Sequence, residues 1–122
     1  MKTLFLLMVL TQNGAGDINA SFVNTETLEQ CQQKASMVAG IFTTSSIPII
    51  ESRCFQTHLE FSAFGHASAS SMIRYFYLIK LDKESVQIDS MPDWRECMAQ
   101  LRQATGSGKV YCSSSVQVVE QP

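Results

Sequence analysis

The sequence predicts an α+β domain of the ferredoxin-like kind, the split β-α-β plan. In that plan β-α-β-β-α-β elements form an antiparallel sheet with two helices on one face. Three observations point there. Two stretches carry the three-and-four apolar spacing of an amphipathic helix, and each is followed by a turn and a β-rich run. A strongly strand-like segment, Met72–Leu81, lies between them. The plan of Thr25–Cys54 then recurs from Asp93 to Val119, with one cysteine in each helix and one in each strand.

The first strand has two candidates. Residues 1–16, MKTLFLLMVLTQNGAG, place Lys2 before the apolar run Leu4–Leu10 and then small and polar residues, the order of a secretory signal. Cleavage after Gly16 or after Ala20 suits that reading, and the first of these leaves residues 17–122 as one α+β domain. An apolar run of this length between turn formers is equally the pattern of a buried strand. It is too short for a membrane span, which needs about 20 residues. Asp17–Val23 alternates Ile18, Ala20 and Phe22 with Asn19 and Ser21, so it reads as a strand too.

Asn24 or Thr25 is the expected cap of the first helix, with Glu26 and Glu29 near its positive end. Leu28, Cys31, Ala35, Val38 and Phe42 form its apolar face, and Gly40 with Thr43–Ser46 ends it near Phe42. Ile47–Phe55 follows as a strand on which Ile50 and Cys54 share a face, and the pattern continues through Leu59, Phe61 and Ala63. Phe64–Ser71, rich in Gly, Ala and Ser, reads as an exposed loop. In Met72–Leu81, residues Tyr75, Tyr77 and Ile79 oppose Phe76 and Leu78, the two-sided apolar pattern of a central strand. Val86–Ile88 reads as a brief pairing segment. Pro92 and Asp93 open the second helix, Asp93 and Glu96 resemble a capping box, and Trp94, Cys97, Leu101 and Ala104 share a face. Gly106 stops it. Lys109–Val119 is the last strand.

The net charge of −2 comes from 9 basic and 11 acidic residues that are scattered along the chain. No basic run supplies the footprint of a nucleic-acid binder, so that class is excluded. The four cysteines, Cys31, Cys54, Cys97 and Cys112, lack C-x-x-C or zinc-type spacing. An even count in a small chain with an export-like leader points to disulfides and to a periplasmic or secreted location, with a cytoplasmic one as the alternative if residues 1–16 are a strand. Element heights select the pairing. From the turn near Ser45, Cys31 lies about 20 Å back along the helix and Cys54 about 25–30 Å along the strand. From Gly106, Cys97 lies about 14 Å back and Cys112 about 15–20 Å onward. Cys31–Cys54 and Cys97–Cys112 are therefore expected, with four reduced core thiols as the alternative.

Chemistry is sparse. Pro-free serine runs such as Ser113–Ser115 lack the Gly-x-Ser-x-Gly elbow of a nucleophilic serine. His58, Glu60 and His66, with Glu51 as a companion, form a set with metal-binding or proton-transfer character, the basis of a small-molecule or metal-binding alternative. A Cys54–His58 nucleophile pair would need Cys54 to be a free thiol. The leading expectation is a non-catalytic interaction or accessory subunit with a protein partner, no cofactor and no integral membrane segment in the mature chain. Its contact surface would include His58, Phe61, Phe64 and His66.

Overall fold

The computed structural model of the chain describes residues 4–12, 17–61, 75–83, 85–104, 108–115 and 117–120. The elements in order are β1 (Leu4–Gln12), β2 (Ile18–Thr25), α1 (Leu28–Thr44), β3 (Ile49–Thr57) and β4 (Glu60–Phe61). They are followed by β5 (Tyr75–Leu81), β6 (Val86–Met91), α2 (Trp94–Gln103), β7 (Lys109–Ser115) and β8 (Val119–Glu120). Six strands form one mixed, half-barrel sheet in the order β3-β1-β2-β7-β5-β6, and β4 pairs with β8 in a separate two-stranded sheet. All ladders are antiparallel except β2 with β7, which is parallel and has one register pair, Asn19 with Ser114.

This architecture overturns the ferredoxin-like expectation. Leu4–Leu10 and Asp17–Val23 are not rival first strands, because both form strands and pair as the β1–β2 hairpin. Val86–Met91 is likewise a full strand beside β5. The run from Ile47 breaks at His58–Leu59, so its last part becomes β4, and the final strand ends at Ser115 before β8. What emerges is two three-stranded ladders joined by a parallel seam, in place of one antiparallel sheet.

The physical reason is that β1 and β5 are apolar on both sides. Leu6, Met8 and Leu10 of β1 meet Tyr77, Ile79 and Leu81 of β5, with Ala20, Phe22 and Phe61, in the main core on the inner face of the half-barrel. On the other side, Leu7 and Val9 pack with Cys31, Ala35, Val38 and Phe42 of α1. Leu78 and Cys112 pack with Cys97, Met98 and Leu101 of α2. Each fully buried side chain of this size contributes roughly 1.5–3 kcal/mol. A strand loaded on both faces needs cover on both, which a sheet with one open face does not give.

Local corrections follow the same logic. Because β2 runs on to Thr25, the α1 cap is Thr27, whose hydroxyl accepts from the Gln30 N–H at 3.1 Å. Asp93 caps α2 as its sequence predicts, accepting from the Glu96 N–H at 2.7 Å. A bulge between Leu10 and Thr11 opposite Ile49–Glu51 leaves Ile50 against the main core, whereas Cys54 faces α1. The expected common face of Ile50 and Cys54 is lost there. Phe64–Ser71 and Gly106 lie outside the described residues.

The chain is a structural duplicate. Each half is a hairpin, a helix and a third strand that returns to pair with the first, then a two-residue strand. Register aligns the halves residue by residue. Leu7 faces Cys54 as Leu78 faces Cys112, and Cys31 and Cys97 each donate their amide to the capping residue's carbonyl, Thr27 or Asp93. Beyond the third strands, Leu59 N–H donates to Thr57 Oγ1 and Gln117 N–H donates to Ser115 Oγ, both at 3.1 Å. Phe61 and Val119, equivalent in this alignment, pair with each other across β4 and β8. A pseudo-dyad therefore runs through that pair.

Candidate functional site

Two disulfides fasten the helices to the sheet. Cys31 of α1 joins Cys54 of β3, with Cα atoms 6.0 Å apart, and Cys97 of α2 joins Cys112 of β7, at 5.9 Å. These are the pairs that the element heights select. Cys31, Cys97 and Cys112 are buried, so the sulfurs belong to the packing between helix and sheet.

The seam between β2 and β7 is where the two halves meet, and side-chain amides hold it. Gln117, just past β7 and 1% exposed, places its carboxamide against the backbone of Phe22 on β2. Its Oε1 accepts from Phe22 N–H at 2.8 Å, and its Nε2 donates to Phe22 O at 2.6 Å. The side chain thus does what a neighbouring strand would do, satisfying both polar groups of a buried residue. Tyr77 Oη donates to Gln117 O at 2.8 Å, and burial pushes that phenol up to about 12. Asn24 of β2 makes the matching clamp on β4, donating to Leu59 O at 2.9 Å and accepting from Phe61 N–H at 2.8 Å. Phe61 is held so that its ring stacks on Phe22 with centroids 3.9 Å apart, while Tyr77 meets both rings edge-on.

No family model, curated protein or solved structure matches this chain.

The function must therefore be sought in the geometry. His58 stands exposed at the corner between β3 and β4, and Glu60 is exposed two residues on. Phe61 is 8% exposed and built into the core. Phe64 and His66 lie outside the described residues. Among the described residues no group of three or more His, Cys, Asp and Glu is placed to hold a metal ion, and no helix is long and apolar enough to cross a membrane.

Polar chemistry concentrates elsewhere, where β3 curls toward the second half. Glu51 Oε2 accepts from Tyr111 Oη at 3.0 Å and meets Lys109 Nζ at 3.2 Å. Burial and the Glu51 carboxylate both raise the Tyr111 pKa. Arg53 Nη1 donates to the carbonyl of Asp82 at 2.9 Å, tying β3 to the β5–β6 turn. These contacts bridge the mouth of the half-barrel without a strand ladder. An open cleft of about 550 Å³ below the end of α2 has Lys80, Gln87, Gln100 and Lys109 among its walls, but Lys109 is already engaged by Glu51.

Sequence reasoning missed Tyr111 and Gln117, and it read Asn24 as a helix cap and Glu51 as a companion of His58 and Glu60. The readable signal was an amide next to apolar residues in each β-rich run, Asn24 after Phe22-Val23 and Gln117 among valines, where an apolar residue is the ordinary choice.

Proposed function

We propose that this chain is a non-catalytic, disulfide-stapled binding protein that acts as an accessory subunit of another protein in an oxidising compartment, the periplasm or the cell exterior. The observation that carries the reading is a rigid scaffold with an unfinished sheet. Both helices are stapled covalently, yet among the described residues β3 and β6 end the sheet with no strand beyond them. Stapling supports the compartment, since such bonds persist where thiols are not kept reduced. Open strand edges support the binding role, because unpaired backbone donors and acceptors recruit other chains. His58, at the β3–β4 corner, lies on the same side of the scaffold as the end of β3 and belongs to the surface we assign.

The reading includes the fate of residues 1–16. Leu6–Leu10 are 0–1% exposed at the centre of the first ladder, so their removal would empty the core. We assign Leu4–Gln12 to the mature chain as β1 in preference to a cleaved leader. Protein purified from its native source, mapped under non-reducing conditions, tests these points together. The expected result is two linked peptide pairs, an N-terminal peptide that retains Leu4–Gln12, and a partner present in fixed ratio. Free thiols with recovery as a lone monomer would overturn the reading.

A further inference from the structure

The duplication implies two seams. In the closed seam, β2 of the first half lies beside β7 of the second. Its dyad mate is the junction of β6 with β3, and those are the two strands at the ends of the sheet. Strand directions agree, because β2, β3, β6 and β7 all run parallel to one another. One seam is joined by a strand ladder and, among the described residues, its twin is not. The alignment of the halves gives the cause.

Gln117 aligns with Leu59, and Phe22 aligns with Ile88. The clamp that Gln117 places on the Phe22 backbone has an aliphatic side chain in its twin position, and the Leu59 side chain can neither donate nor accept. Asn24, which holds β4, aligns with Ser90, whose hydroxyl is too short to bridge two backbone groups as the Asn24 carboxamide does.

The polar groups of Ile88 face the open side. Asp82 N–H donates to Ser85 O at 2.9 Å and closes the β5–β6 hairpin. Pairs along an antiparallel ladder alternate between bonded and unbonded, which makes Ile79 with Ile88 an unbonded pair. Ile88 N–H and C=O therefore point away from β5, as those of Phe22 point away from β1 toward Gln117. Val86 and Ser90 share that direction. The side chains of Val86 and Ile88 pack on the main core, so the edge is stiff as well as open.

We propose that the outer edge of β6 at Ile88 docks an extended peptide strand from a protein partner, whose peptide groups supply what Gln117 supplies to Phe22. The proposal rests on the binding role above and names its site and chemistry. Strand addition of this kind draws its affinity from main-chain hydrogen bonds. A second copy completing a larger barrel fits less well, because the contacts of Glu51 with Lys109 and Tyr111 already reach from β3 across to β7 within one chain.

A synthetic peptide of residues 109–120 with serine at position 112 is the probe, because that segment serves the closed seam. Titrated into the full-length oxidised protein and followed by amide NMR, it should shift Val86, Ile88 and Ser90 and slow exchange of the Ile88 amide. The amide of Phe22 should stay unchanged, and a scrambled peptide should do nothing. Leu59→Gln should protect Ile88 in cis and abolish the peptide shifts. If that variant does not fold, Ser90→Pro, at an exposed edge position, should also abolish them. Three results would overturn the proposal: an Ile88 amide already protected in the free protein, no β6 shifts at millimolar peptide, or shifts that grow with protein concentration alone, which mark a second copy. A native partner that copurifies but perturbs only α1 would sink this inference and leave the binding role standing.

Discussion

Gln117→Leu puts the residue of the open seam into the closed one. Leucine nearly keeps the volume and leaves the main-chain bonds of residue 117 to Ser115 and Tyr77 in place. What it removes is the pair of bonds to Phe22 N–H and Phe22 O, at 2.8 and 2.6 Å, inside a region where both residues are 1% exposed. Leaving a buried donor or acceptor unpaired costs about 1–3 kcal/mol, so the two together should cost about 2–6 kcal/mol. Against a typical total of about 5–15 kcal/mol, that is a severe loss for one side chain at constant volume. Urea unfolding at pH 7, followed by Trp94 fluorescence, measures it, and amide exchange should show Phe22 losing protection before Ile79 does. A loss under about 1 kcal/mol, with Phe22 still protected, would mean that packing and the β2–β7 pairing at Asn19 and Ser114 join the halves without Gln117, and that its replacement by Leu59 does not account for the open seam.

Replacing Cys97 and Cys112 by serine, or Cys31 and Cys54, should lower stability by about 3 kcal/mol per pair for closed loops of 15 and 23 residues' separation; parallel urea curves of the oxidised and variant proteins check this. Tyr77 has a folded pKa near 12, above its usual 10, so its contribution is complete below pH 10 and is lost as pH rises toward 12. Unfolding free energy should fall across that window, and Tyr77→Phe should flatten the fall while costing about 0.5–1.5 kcal/mol at pH 7 for the lost bond to Gln117. Phe61→Ala should cost about 3–5 kcal/mol, because the ring stacks on Phe22 inside the core; an unchanged melting curve would mean that the ring is dispensable for folding.

Helices were the most legible part of the chain. Spacing found both, and Asp93 with Glu96 marked the second start to the residue. The first start was misplaced because Asn24 and Thr25 are good caps by composition yet are spent elsewhere. Asn24 clamps β4, and Thr25 Oγ1 donates to Thr27 O at 3.0 Å. Cysteine heights were readable because rise per residue is nearly constant within an element. Strand pairing was not. Alternation says which residues share a face, but it does not say which strand lies alongside, and the β1 run reads identically as a leader or as a doubly buried strand. The clamps were hidden for a different reason. Gln117 matters through a backbone 95 residues away, a relation that local pattern cannot carry.

The open edge also limits what it can hold. Long flat edges invite uncontrolled pairing, and β6 carries two of the usual protections, a length of six residues and a proline directly after it, Pro92. Only Val86, Ile88 and Ser90 turn their backbone groups outward, and Pro92, next in that alternation, has no N–H to offer. A docked strand can therefore form a ladder of about five or six residues with alternate residues bonded, and it cannot propagate past the start of α2. Such a short ladder yields little affinity by itself, since each bond nets only about 0.5–1.5 kcal/mol. Specificity must therefore come from the alternate side chains of the docked strand, which flank the ladder.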